Sequence, residues 1–103
     1  MKTIKQLLSE SPNFTNSVVA FLVDGDKVLL GRRIKVSNGL GQDLIGGIGG
    51  KLEKYESNEE ALVRELEEEI LVTPTNWTKM GRVKFLFPHK PKWQQDVAIF
   101  LIN

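Results

Sequence analysis

The chain has no cysteine and a single histidine, His89. The first absence excludes a disulfide framework and every thiolate metal site, and the second excludes a zinc centre built on several histidines. Any metal ion held by this chain must be held by oxygen. Long hydrophobic runs are also lacking. The longest apolar stretches, residues 18–23 and 97–102, have the length of strands, so no bilayer-spanning segment and no secretory leader is expected, and the cytoplasm is the expected location. Proline is scarce at 4, and 41% hydrophobic with 26% charged residues excludes a disordered or fibrous chain. At 103 residues there is room for one hydrophobic core, and residues 1–103 are expected to form a single domain.

What is present is unevenly placed. Residues 53–69 hold eight acidic and two basic residues and carry −6, which leaves +7 elsewhere against a net charge of +1. An acidic block in an otherwise basic chain suits a cation site facing a phosphate-attracting surface, or a plain solvated acidic helix.

Residues 1–11 predict a short amphipathic helix through Ile4, Leu7 and Leu8, ended by Ser11-Pro12. Residues 14–23 and 27–32, separated by Asp24-Gly25-Asp26, read as a hairpin. Residues 34–43 read as a loop. Residues 44–51, with four glycines among eight residues, read as a shaped loop or a flexible linker. Residues 77–87 and 94–102 read as strands joined by a loop at 88–93 that carries two prolines. No repeat or low-complexity tract appears.

Residues 57–70 give the clearest helix. Ser57 and Glu60 have capping-box spacing, and Leu62, Leu66 and Ile70, widened by Ala61 and Val63, form one apolar stripe with the glutamates expected on the other face. Pro74 stops continuation much beyond Val72. Glu65, Glu67, Glu68 and Glu69 occupy the C-terminal half, where the helix dipole is already negative, each at a cost of about 0.3–1 kcal/mol. Like-charge pairs of Glu65 with Glu68 and Glu69 add about 0.2–0.5 kcal/mol each. Arg64, within reach of Glu60 and Glu68, offsets only part of this. Glu65, Glu68 and Glu69 lie within about a 100° arc of one turn, which suits Mg²⁺ or, as an alternative, Mn²⁺. The preceding glycines can offer a carbonyl to the same ion or amides to a phosphate. Neither a Gly-Lys-Ser/Thr phosphate loop nor Gly-x-Gly-x-x-Gly opening a helix is present.

Residues 50–72 resemble the Nudix box, the signature of a hydrolase family. Gly50 fills the opening position, Glu56 the isolated acid, Arg64-Glu65-Leu66 and Glu68-Glu69 the helical core, and Val72 the closing apolar site. Leu71 stands where the family has glycine. Because leucine resists the left-handed conformation, the exit from the helix is expected to differ there. The flanks, Lys27-Val28-Leu29-Leu30-Gly31, Gly49-Gly50-Lys51, Phe85, Phe87 and Asp96-Val97, are similar to the MutT-like branch that includes oxidised purine nucleoside triphosphate diphosphatases.

The resemblance implies an α/β (α+β) fold, the Nudix α/β/α sandwich with a mixed β-sheet, shortened at the C-terminus. It implies Mg²⁺ held by Glu65, Glu68 and Glu69 with the Gly50 carbonyl. Arg64 would orient a glutamate, Glu56 would anchor the loop to the helix, and Glu65 or Glu68 would serve in catalysis. For Glu56 and Arg64, first-turn dipole stabilisation and an ordinary surface pair are the simpler alternatives. Phe85 and Phe87 would line a base pocket, or pack in the core. Trp77 and Trp93 default to core or interface. Lys51, Arg32 and Arg33 would meet phosphate, or serve only as surface charge.

The implied reaction is attack of water on a nucleoside diphosphate-linked substrate, most simply a nucleoside triphosphate giving the monophosphate and pyrophosphate. The alternative is a nucleotide-binding or regulatory module with little turnover. Resembling diphosphatases continue for several dozen residues past the final strand, with a distal acidic ligand and a base-reading acidic pair, and Gly46 replaces their base-contacting asparagine. The substrate is therefore left open. A final strand without a successor leaves an exposed edge or an uncovered face, from which self-association is expected. Nucleic acid is not an expected partner, since no aromatic-interleaved basic motif accompanies the basic excess.

Overall fold

A computed structural model describes residues 1, 3–9, 14–33, 44–87, 89 and 93–103. The loop expected at 34–43, the Ser11-Pro12 helix end and most of the 88–93 connection lie outside the described residues, as do the side chains of Arg32 and Arg33.

Helix α1 (Ile4–Ser9) forms within the expected span, opened by Thr3 and Gln6, whose side chains each accept a bond from the other's backbone N–H. Ile4 on its expected apolar face is exposed. Strands β1 (Thr15–Asp24) and β2 (Lys27–Leu29) make the expected hairpin, with Asp24 opposite Lys27 across Gly25 and Asp26. The second arm stops sooner than the sequence suggests. It resumes as β3 (Gly31–Arg33), which pairs with β4 (Leu44–Gly46) in a separate two-stranded sheet.

The glycine-rich segment expected as a loop is strand at both ends. After β4 comes β5 (Ile48–Lys51), antiparallel to Ser17–Ala20 of β1. A Cβ on Gly49 would collide with the Val18 carbonyl, so glycine at this position permits a strand at this close approach.

Strand β7 (Gln95–Ile102) runs parallel to β1 and antiparallel to β6 (Thr78–Phe85), which gives a mixed five-stranded sheet in the order β2-β1-β7-β6 with β5 also on β1. The last strand is therefore interior. This corrects the expectation of an exposed edge there.

Helix α2 (Asn58–Ile70) covers one face of the sheet. Its Ala61, Leu62 and Leu66 meet Val18 and Ala20 of β1, Ile48 of β5, and Ala98, Phe100 and Ile102 of β7. Phe100, Leu62, Leu66 and Val18 are the largest fully buried side chains, and each contributes about 1.5–3 kcal/mol. Trp77 packs at the rim of this core, within the alternatives given for it. On the opposite face Val19, Phe21, Ile99 and Leu101 are half-buried.

The two ends of α2 are finished differently. Ser57 Oγ accepts from the Glu60 N–H at 3.1 Å, and Glu60 accepts from the Ser57 N–H at 2.9 Å, completing the expected capping box. At the other end Leu71 adopts φ 57°, ψ 36°, and the N–H groups of Leu71 and Val72 both turn back to the Leu66 carbonyl. Leucine here takes the left-handed conformation the sequence argued against. Its side chain is exposed, so nothing but the backbone strain, about 1–2 kcal/mol, opposes the turn.

Candidate functional site

Strand β5 carries Gly50 under α2, opposite Val18, and the carboxylate of Glu65 comes down onto it. A Cβ at position 50 would lie 2.5 Å from Glu65 Oε1. Glycine therefore leaves room for a carboxylate against the strand backbone. Glu65 is only 9% exposed, at the edge of the apolar stripe, which corrects the expectation that all the glutamates sit on the far face.

Arg64, one residue earlier, ties the surroundings together. Its Nε and Nη2 make a bidentate pair with Glu56, at 2.7 and 2.9 Å, and Nη2 also donates to the Lys51 carbonyl at 3.0 Å. The helix is thereby fastened to the end of β5 and to the connection that follows it. Hydrogen bonding from Arg64, aided by the Glu53 N–H and opposed by burial, lowers the Glu56 pKa from 4.5 to about 2. The same pairing raises Arg64 still further, so both partners stay charged. First-turn dipole stabilisation and a lone surface pair are thus too small a description of these two residues.

The remaining nitrogen, Arg64 Nη1, faces the acidic end of the box. It lies 3.0 Å from Glu65 Oε1 and 3.4 Å from Glu68 Oε2. Two carboxylates in the clash-prone half of the helix already converge on one positive group. Glu68 and Glu69 are exposed. Among the described residues, no three acidic or histidine side chains gather around one point. The donors present nevertheless suit a hard divalent cation: they are all oxygen, and Gly50 keeps the space beside Glu65 clear.

The substrate candidates lie further off. Lys51 follows Gly50 and so alternates to the other face; its side chain is exposed, and its carbonyl is what meets Arg64. Phe85 ends β6 opposite Gln95, and Phe87 meets Trp93 edge-on with centroids 5.8 Å apart. Both phenylalanines are exposed, at 48% and 36%, which removes core packing as their role. The register puts Phe85 on the far side of β1 and β7 from Gly50, away from the glutamates, and Phe87 lies past the end of β6.

One pairing was not read from the sequence. Asp96 on β7 is buried and accepts a 2.8 Å hydrogen bond from Arg82 Nε on β6, with Lys84 Nζ at 3.9 Å. The alternation of Arg82 and Lys84 on a strand expected beside Asp96 was the available signal, but the pairing needs the register, which the sequence does not carry.

The NUDIX domain family profile matches residues 13–102. The chain is 34% identical over 82 residues to the NAD-capped RNA hydrolase NudC of Pseudomonas putida, which covers 80% of this chain and 28% of that protein. It is 40% identical over 42 residues to the 8-oxo-dGTP diphosphatase of Escherichia coli, 41% of this chain and 33% of that protein. The crystal structure of a MutT NUDIX hydrolase from Burkholderia pseudomallei superposes with a TM-score of 0.75 at 22% identity, covering 86% of this chain and 66% of that one. The chain therefore belongs to the NUDIX domain family. It spans about a third or less of the length of these curated relatives.

Proposed function

We propose that the chain is a divalent-cation-dependent hydrolase that splits a phosphoanhydride in a nucleoside diphosphate-linked substrate. The observation that carries this reading is the convergence of Glu65, which lies over Gly50, and Glu68 on Arg64 Nη1, with the arginine itself locked on Glu56 and the Lys51 carbonyl.

Glu65, Glu68 and Glu69, with the Gly50 carbonyl, would hold Mg²⁺ or, as an alternative, Mn²⁺. Such an ion supplies charge neutralisation of phosphate oxygens and acidification of water. Arg64 keeps Glu65 and Glu68 directed to one point, and its own position is fixed by Glu56. One of these two glutamates takes the proton as water adds its oxygen to phosphorus and the bridging P–O bond breaks. Phe85 and Phe87 offer exposed rings to a base, and Lys51 an exposed cation to phosphate.

Within this class the first substrate is a nucleoside triphosphate, including an oxidised purine form, giving the monophosphate and pyrophosphate. The similarity to an 8-oxo-dGTP diphosphatase supports it. The similarity to NAD-capped RNA hydrolases supports a dinucleotide pyrophosphate, free or RNA-linked, so nucleic acid stays in the screen. A second reading, a nucleotide-binding module with little turnover, is favoured by one observation: among the described residues no three acidic or histidine side chains gather around one point.

The experiment is a Mg²⁺-dependent hydrolysis screen over ordinary and oxidised nucleoside triphosphates, dinucleotides, nucleotide sugars and NAD-capped RNA. Turnover that falls on the order of 100-fold or more in Glu68→Gln supports the hydrolase. Nucleotide binding without turnover in the folded wild type supports the module.

A further inference from the structure

The sheet has two faces, and α2 covers one of them. Residues 18–23 and 97–102 are apolar without alternation, the pattern of strands buried on both sides. The outer strand β6 does alternate. Lys79, Arg82 and Lys84 pair with Phe100, Ala98 and Asp96 of β7, so they stand on the α2 side, whereas Val83 pairs with Val97 and stands on the other. The strand therefore turns its charges to the helix side and an apolar residue to the far face, the reverse of a sheet whose far face meets water. That face is nonetheless partly open. Val19, Phe21, Ile99 and Leu101 are half-buried, and Val83 is 39% exposed. Among the described strands of this sheet, Lys51 is the one charged residue on it.

The size and shape of this face limit what can cover it. β6 and β7 are each eight residues long. With β1 and the strands beyond it they make a surface about 19 Å wide and about 26 Å long, on the order of 500 Å² in projection. A cover must be flat, apolar and without charge, since a charge buried against these side chains would have no partner. A second copy brings such a surface with the same twist, and two aligned sheets pack face to face about 10 Å apart. Two copies together cover about 1,000 Å², the lower bound of a specific interface, which suits a reversible dimer. Addition along the outer edge of β6 is disfavoured by the bulge between Lys79 and Gly81, which breaks the regular ladder.

We propose that the face of the sheet opposite α2 is the contact surface of a symmetric dimer, covered by a second copy of this chain. A two-fold axis through the face sets the side chains of β1 and β7 on one copy against those on the other, while Lys51 and Phe85, at one end of it, fall at the rim. The arrangement does not depend on the hydrolase reading.

The test is sedimentation equilibrium of the 103-residue chain from about 1 to about 200 µM, the range in which an interface of this size dissociates. The mass is expected to rise from that of one chain to that of two and to stop there. Ile99→Lys and Val83→Lys each place a charge in the contact and should raise the dissociation constant at least about tenfold. Leu71→Lys, at a residue 89% exposed beyond the end of α2, should leave it unchanged. Melting temperatures are read beside the masses. If Ile99→Lys fails to fold, Val83→Lys decides, because its side chain is already 39% exposed on the outer strand. A wild type that stays monomeric at the highest concentration overturns the proposal, and adsorption of that monomer to phosphatidylcholine vesicles would give the face to a lipid surface instead. Association that continues past two chains, or a dimer that Val83→Lys and Ile99→Lys leave intact, overturns it as well.

Discussion

The two ends of α2 obey opposite rules. At the N-terminus every device favours the helix: Ser57 and Glu60 close a capping box, Glu59 and Glu60 meet the positive end of the dipole, and Glu56 is locked to Arg64. At the C-terminus there is no basic residue in the last turn, three consecutive glutamates stand at the negative end, and the exit is made by a leucine in the left-handed conformation. The first end is built as a stability-driven sequence would build it. The second gathers carboxylates where they cost stability, and such a choice makes sense where the charge has work to do. Arg64 links the two, with two nitrogens given to the stable side and one to the acidic side.

Breaking the link has the largest expected effect on stability. Arg64→Ala leaves Glu56 and Glu65 without their main partner, and should cost about 3–5 kcal/mol in urea unfolding, together with turnover. Gly50→Ala separates the two properties. The atoms nearest the added Cβ are those of the Glu65 carboxylate, so the fold should lose about 1 kcal/mol while turnover falls on the order of 100-fold as Glu65 is displaced. Ser57→Ala touches the stable end alone: about 1 kcal/mol of stability lost, with kcat unchanged. Leu71→Gly is the smallest change and has the opposite sign. It should raise stability by up to about 1 kcal/mol, because glycine adopts the observed conformation without strain.

Acid should unfasten the stable side first. The Glu56 pKa is lowered on folding from 4.5 to about 2, so its pairing contributes fully above pH 4.5 and is lost as the pH falls towards 2. Stability measured over that window should decline in the wild type and decline less steeply in Glu56→Gln.

The stable end was also the legible one. Capping, the apolar stripe and the box spacing depend on residues within a few positions of one another, and α2 forms at 58–70 with Ser57 as its cap. What failed was non-local or depended on backbone shape. Glycines at 46–50 read as a loop because glycine lowers strand propensity, yet at Gly49 and Gly50 they admit β1 and Glu65 at close range. Leu71 was judged on intrinsic cost alone, and the bonds from Leu71 and Val72 to Leu66 outweigh it. The interior position of β7 and the Arg82–Asp96 pair follow from strand order, which no local pattern records. In the site, the pattern located Glu56, Arg64, Glu65 and Glu68 together. It did not show that Glu65 is buried, or that Arg64 Nη1 is the group on which the two helical carboxylates meet.

The most direct measurement is thermal unfolding of the metal-free chain titrated with Mg²⁺, wild type beside the Glu65→Gln, Glu68→Gln double variant. If the acidic end of α2 exists to hold a divalent cation, Mg²⁺ should stabilise the wild type, by about 2.7 kcal/mol at a hundredfold excess over Kd, and leave the double variant unmoved. An equal rise in both proteins, or none in the wild type, would contradict it.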